Sequence, residues 1–263
     1  MTMNDAELRA ASELLYRHWQ DKTLIDALPE NLRPRTRAEG YRVQACIEEH
    51  TSAPLFGWKI AATSVAGQNH INVDGPIAGR LLAERVIENG GVFVIGGSHM
   101  RLAEMEFAFR MGRDLPPRAT PYMQDEVMAA IATLHPAIEL PDTRYTDVTQ
   151  AGVAQLVADN ACAHKFVLGP ATDADWRALD LAAHPVQSLI HDRIAGEGVG
   201  ANVLGDPRIA LTWLVNELSH HSLTLMAGEV VTTGTCLKPV VIAPGDQLRG
   251  DFGPLGQVSI AIS

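Results

Sequence analysis

Positive charge is in short supply in this chain. Across 263 residues, 21 lysines and arginines face 31 aspartates and glutamates, a formal net charge of −10. Such a surface repels phosphate backbones and anionic headgroups, so neither nucleic acid nor membrane is an expected partner. Cysteine is scarce too. Cys46, Cys162 and Cys236 lie far apart without a CxxC pair, which argues against a disulfide framework or a zinc-thiolate site and fits reduced thiols in a cytoplasmic protein. No stretch approaches about 18 uninterrupted apolar residues, and the opening MTMNDAELRA has no basic region followed by an apolar run. Neither a membrane span nor a signal peptide is expected. A G-x-S-x-G elbow is missing, and Ser98 in Gly96-Gly-Ser-His-Met100 lacks a strand–turn–helix setting, which disfavours serine hydrolase chemistry. Gly196-Glu-Gly-Val-Gly200 fits neither the dinucleotide nor the Walker pattern and reads as a flexible loop near the site.

What is present suffices for a sizeable core, since 46% of the residues are hydrophobic. Leu8, Ala11, Leu14, Leu15, His18 and Trp19 recur at helical spacing after Asn4 and Asp5, either of which can cap, predicting an opening helix over residues 5–20. A second helix is predicted from Thr36, with Glu39 in capping-box position, to about His50. From Trp58 onward short apolar runs are broken by glycine and proline, the texture of a mixed sheet. Helices are predicted again near 124–134, 148–160 and 207–219, the last with Asp206 as cap and Pro207 in the first turn. Three strands follow in GEVVTTGT, KPVVIAPGD and LGQVSIAIS. The reading is an α+β fold, with a helical arm over residues 1–54 and one catalytic domain over residues 55–263.

Carboxylates carry the chemical signal. In Leu102-Ala-Glu-Met-Glu-Phe-Ala-Phe109 a period of two puts Glu104 and Glu106 on one face and Ala103, Met105, Phe107 and Phe109 on the other. Glu139 sits in another apolar run, HPAIELP. Burying an unpaired carboxylate costs several kcal/mol or forces it to neutralise, so one shared hard cation can serve all three. All-oxygen ligation points to Mg²⁺ or Mn²⁺ with positions left for water or substrate. The plainer alternative leaves Glu104 and Glu106 on a solvated sheet face, with Glu139 paired to an arginine such as Arg144.

Gly57-Trp-Lys-Ile60 with Thr63-Ser64, Glu104-Met-Glu106, Pro136-Ala-Ile-Glu139 with Asp142-Thr-Arg144, Asp159-Asn160, Leu204-Gly-Asp-Pro207, Thr233-Gly-Thr235 and the Pro244-Gly-Asp246 turn occur in an order covering nearly the whole chain. That order resembles the fumarylacetoacetate hydrolase superfamily, in its branch of 2-hydroxypenta-2,4-dienoate hydratases and 4-oxalocrotonate decarboxylases. The resemblance implies a mixed β-roll core, a homo-oligomer, a divalent metal held by Glu104, Glu106 and Glu139, and Lys59 facing that metal. The implied substrate is a small 2-oxo acid. A metal-chelated 2-oxo acid beside an amine makes chemical sense, because the amine's pKa can fall and it can move a proton at the dienol or enol carbon. Thr235 is a candidate to bind the substrate carboxylate, or a plain turn threonine; Lys59 is otherwise a solvent-facing lysine. His70, in a segment read as a loop downstream of Lys59, is a candidate pocket residue.

One departure matters. Hydratases of that branch usually carry Pro-Asp-aromatic-Gly with an aspartate that assists proton transfer, and here the segment is Gly75-Pro-Ile-Ala-Gly79. Ile77 cannot do acid–base work, and Asp74 is displaced by an odd number of residues, toward the other face of an extended segment. The expected activity is a metal-dependent hydratase adding water to a 2-hydroxy-2,4-dienoate to give a 4-hydroxy-2-oxo acid. Decarboxylation of a 2-oxo diacid, acylpyruvate hydrolysis, or 2-oxo acid binding without catalysis are the alternatives.

Overall fold

The structure, a computed structural model, describes residues 2–263. Helix α1, Asp5–Asp21, starts where the Asn4 side chain accepts from the Ala6 and Glu7 amides and Glu7 reaches back to the Asn4 amide. It stops at Lys22, in the left-handed conformation. Helix α2, Arg37–Ala45, starts at Thr36 as expected and tightens into a 3₁₀ turn over Cys46–His50. Leu8, Ala11 and Leu15 of α1 and Tyr41 and Val43 of α2 belong to the same hydrophobic core as Trp58 and Ile60. The N-terminal helices are therefore seated on the sheet they precede.

The strands are β1 Leu55–Ala61, β2 Ile77–Leu82, β3 Val86–Ile87, β4 Val92–Phe93, β5 Leu102–Met111, β6 Ile131–Leu140 and β7 Lys165–Leu168, then β8 Pro185–Ile190, β9 Arg193–Val199, β10 Val230–Thr235, β11 Val240–Val241, β12 Gln247–Asp251 and β13 Gln257–Ile262. The remaining helices are α3 Val65–Ile71, α4 Gln124–Met128, α5 Val148–Ala151, α6 Val153–Ala158 and α7 Pro207–His220. Two mixed sheets result. The larger runs β2-β1-β10-β5-β6-β7-β3 with β11 on β5, and the smaller runs β4-β13-β12-β8-β9. This is the α+β class read from the sequence. No helix among the described residues is long and apolar enough to cross a membrane.

Local expectations fail where pairing or a glycine wins. The helix predicted over 124–134 ends at Met128, because Ile131 pairs with Met111 and draws Ala-Thr-Leu into β6 despite their helical tendency. The helix predicted over 148–160 is two, separated at Gly152, whose φ of 78° no helix accommodates. A fourth C-terminal strand, β12, sits among the polar residues Gln247–Asp251. Gly196–Gly200 is not a loose loop. Most of it is β9, paired to β8, and a Cβ on Gly198 would lie 2.0 Å from the Cys236 carbonyl oxygen. Its glycines answer to close backbone approach.

Candidate active site

The central pair β5/β6 sets the site. Antiparallel register places Glu104 opposite Glu139 and Glu106 opposite Ala137, so all four side chains leave one face of the sheet. Met105, Phe107 and Phe109 go to the other face and into the main core, while Ala108 and Ala137 continue the glutamate face. Three acids thus converge from two strands. One carboxylate oxygen from each lies within 4.8 Å of the other two. Glu106 and Glu139 are 0% exposed and Glu104 is partly exposed.

Their hydrogen bonding is incomplete. Glu106 Oε2 accepts from the Thr232 hydroxyl and from the Gly234 amide at 2.7 Å, both on β10. Glu106 Oε1 and both oxygens of Glu139 have no hydrogen-bond partner. Lys59 Nζ lies 2.9 Å from Glu139 Oε1, an ion pair. Buried acceptors left in this state cost free energy unless something else binds them. Acid–acid proximity, all-oxygen donors and orphaned lone pairs fit one hard divalent cation held by Glu104, Glu106 and Glu139.

Charge states report the same crowding. Burial, then repulsion from Glu139, lifts the Glu104 carboxyl to about 7, with Lys59 opposing. Burial and its two acidic neighbours hold Glu106 well above the usual carboxylate range, and burial raises Glu139 against the pull of Lys59. For Lys59 burial works toward a lower pKa, yet the attraction of Glu139, Glu104 and Glu106 outweighs it and the net direction is upward. In the company of the acids alone, this is opposite to the lowered amine expected beside a metal-bound substrate.

Lys59, on β1 and 2% exposed, also donates from Nζ to the Ala161 carbonyl at 2.9 Å. That carbonyl is offered by an unusual turn. Asn160, Ala161 and Cys162 have φ of 55°, 52° and 60°, three consecutive non-glycine residues in the left-handed region. The Asn160 side chain fastens it, accepting from the Arg80 amide at 2.6 Å and donating to the Arg80 carbonyl at 2.8 Å on β2. Behind it a buried Arg144–Asp159 ion pair anchors the approach. Neither Asp159 nor Asn160 has a role that is legible in the sequence. Thr232 was not among the expected residues, and Gly234 stood in Thr233-Gly-Thr235 without a role; its φ of 103° turns its amide toward Glu106, and a Cβ there would meet Thr63 Oγ1 at 2.2 Å.

The other candidates are less engaged. Thr235 lies opposite Glu106 in the β10/β5 register, but its hydroxyl donates to the Leu237 carbonyl at 2.7 Å, closing a turn. His70 is not in a loop; it is exposed in the last turn of α3, which forms because Ser64 caps Gly67. Arg144 is not the partner of Glu139, being committed to Asp159. Ile77 is buried at the start of β2 opposite Ala61, and Asp74 is an exposed residue ion-paired to Arg37.

A model of the family described as fumarylacetoacetate (FAA) hydrolase C-terminal matches residues 36–262. The chain belongs to the fumarylacetoacetate hydrolase family. Within this family it is similar to 2-hydroxyhexa-2,4-dienoate hydratase of Comamonas testosteroni, 30% identical over 98% of both chains. It is also similar to 2-keto-4-pentenoate hydratase 1 of Dechloromonas aromatica strain RCB, 32% identical over 98% of both. Among solved structures it resembles 4-oxalocrotonate decarboxylase from Pseudomonas putida G7 complexed with magnesium and adipate, with a TM-score of 0.90 and 26% identity over 100% of this chain and 99% of that one. The same decarboxylase was solved with calcium and acetate. The fumarylacetoacetate hydrolase fold read from the sequence is thus the fold of the chain, and the decarboxylase that shares it was solved with magnesium and with calcium.

Proposed function

We propose that the protein is a metal-dependent hydratase that adds water to a 2-hydroxy-2,4-dienoate and releases a 4-hydroxy-2-oxo acid. The single observation that carries the reading is the convergent trio Glu104, Glu106 and Glu139, the last two fully buried, with three oxygens lacking hydrogen bonds and Lys59 Nζ at 2.9 Å. Likeness to two hydratases over 98% of the chain supports the reaction type. Magnesium or manganese suits the all-oxygen donor set. Such an ion would draw the substrate carboxylate and 2-oxygen into the cleft and offset the negative charge that develops on that oxygen.

The chain's own groups supply the rest. Lys59, kept protonated by the acids and aimed by Ala161, gives a proton to the terminal carbon of the dienol and regains one from the 2-hydroxyl, so the tautomerisation is proton-neutral. The conjugated ketone so formed is electron-poor at C4, where water adds. Thr232 and the Gly234 amide keep Glu106 facing the cleft, and β10 also brings Thr235 to its rim as a candidate for the substrate carboxylate. His70, exposed on α3, is the weaker candidate for that role.

Decarboxylation of a 2-oxo diacid is the second reading. It is favoured by the match to 4-oxalocrotonate decarboxylase and by apolar Ile77 where hydratases of the branch carry an acid. Incubation with 2-hydroxypenta-2,4-dienoate and Mg²⁺ should bleach the dienol absorbance and yield 4-hydroxy-2-oxopentanoate. Carbon dioxide from 4-oxalocrotonate, with the dienoate untouched, would replace hydration by decarboxylation.

A further inference from the structure

Two features of the sequence find no use in the acid site: the Gly96-Gly-Ser-His-Met100 segment, and Lys165 in an otherwise apolar run. Both line one cavity of about 150 Å³, between the end of α1, the Gly96–His99 loop and the start of β7. That is room for several waters, and so for a small ion. Neither Lys59 nor any of the three glutamates lines it.

The lining has the wrong charge for this protein. A chain of net charge −10 places Lys22, Arg85, Arg144 and Lys165 around one concavity, with Asp142 as the only lining carboxylate. Arg144 is spent on Asp159, and Asp142 Oδ1 already accepts from the amides of His99, Met100 and Thr143 at 3.0–3.1 Å. Lys22 reaches the Gly96 carbonyl at 2.7 Å. Arg85 and Lys165 make no ion pair among the described residues, although both are partly buried. Burial and then the nearness of Arg85 depress the Lys165 pKa, as expected of a cation facing a cation. The outlying Glu84 is held by the Thr51 hydroxyl at 2.9 Å.

Two further contacts fix the donors. The Arg85 guanidinium lies 4.0 Å over the Trp19 ring, which sets its plane. The Trp19 indole N–H donates to His164 Nδ1 at 2.6 Å, so the neutral imidazole carries its proton on Nε2, as a donor. Burial and the surrounding cations hold the His164 pKa down at about 3, which keeps that tautomer across the working pH range.

We propose that this cavity binds a compact oxyanion, a phosphate or a short carboxylate, between Arg85, Lys165 and the His164 imidazole N–H. Such an ion supplies the charge the lining lacks and meets three donors of the right kind. The inference does not depend on the reaction assigned to the acid site. Calorimetry on the full-length protein at low ionic strength, titrating inorganic phosphate and, in a second arm, malonate, tests it. Saturable one-to-one binding of either is expected, and the arm that responds identifies the source of the oxyanion. Arg85→Gln and Lys165→Gln should each weaken binding about tenfold or more, Lys165→Arg should restore most of it, and Glu106→Gln should leave it unchanged. Melting curves confirm that the variants fold. No saturable heat from either anion, or full affinity in both glutamine variants, would overturn the proposal, as would loss of binding in Glu106→Gln.

Discussion

Replacing Lys59 by methionine removes the one cation among the described residues that touches the acid trio while keeping most of the length of the side chain. Lys59 is 2% exposed, Glu139 is 0% exposed and their contact is 2.9 Å, so solvent cannot take over the lost charge. Breaking one side of such a buried pair costs about 3–5 kcal/mol. For a chain of this size, that corresponds to a fall in melting temperature of roughly 10 °C. The loss has a pH signature. Without the ammonium the folded-state pKa of Glu139 rises further, so the folded chain keeps a proton that the unfolded chain has released, and stability falls as pH rises. The gap between parent and Lys59→Met, measured by scanning calorimetry in EDTA, should therefore be wider at about pH 8 than at about pH 5. Added Mg²⁺ should narrow it and bind at least as tightly as in the parent, since a like charge has left its neighbourhood, while turnover of the dienoate is lost. Equal melting of the two proteins at the higher pH, or turnover surviving in the variant, would refute the reasoning.

Two other outcomes follow from the same geometry. In the metal-free parent Glu104 titrates near 7 instead of its ordinary 4.5, so stability is full below that lower value and is lost as pH rises through the window between them. Allowing for its partial exposure, the loss is about 2–3 kcal/mol, and thermal melts should show Mg²⁺ flattening this slope. Asn160→Ala deletes both contacts to Arg80 and puts a Cβ residue without compensation into the left-handed turn, at a cost of about 2–4 kcal/mol. Denaturant melts should show Asn160→Gly recovering part of that loss, and both variants should lower kcat more than they change Mg²⁺ affinity, because the Ala161 carbonyl loses its aim at Lys59.

The parts of this site legible in the sequence were those that depend on period. Alternation along Leu102–Phe109 put Glu104 and Glu106 on one face, and the apolar setting of Glu139 marked it as a carboxylate in need of a partner; β5 and β6 then brought the three together. Resemblance supplied Lys59. What stayed hidden depends on tertiary register. Nothing local in Thr232-Thr-Gly234 says that β10 will lie against β5 and cap Glu106, and nothing in Asn160-Ala-Cys162 announces a left-handed turn locked by a strand 80 residues away. The fold was read in the same uneven way. Capped helices such as α1 and α7 were found nearly to the residue, whereas β6 overran a predicted helix and β9 a predicted loop, because strand pairing decides those segments.

Direct titration of Mg²⁺, and of Mn²⁺, into chelator-treated protein tests the acid trio itself. One ion per chain is expected, with affinity lost in Glu106→Gln and in Glu139→Gln and kept in Lys59→Met. Either glutamine variant binding the ion as tightly as the parent, or a parent that binds none, would contradict the account.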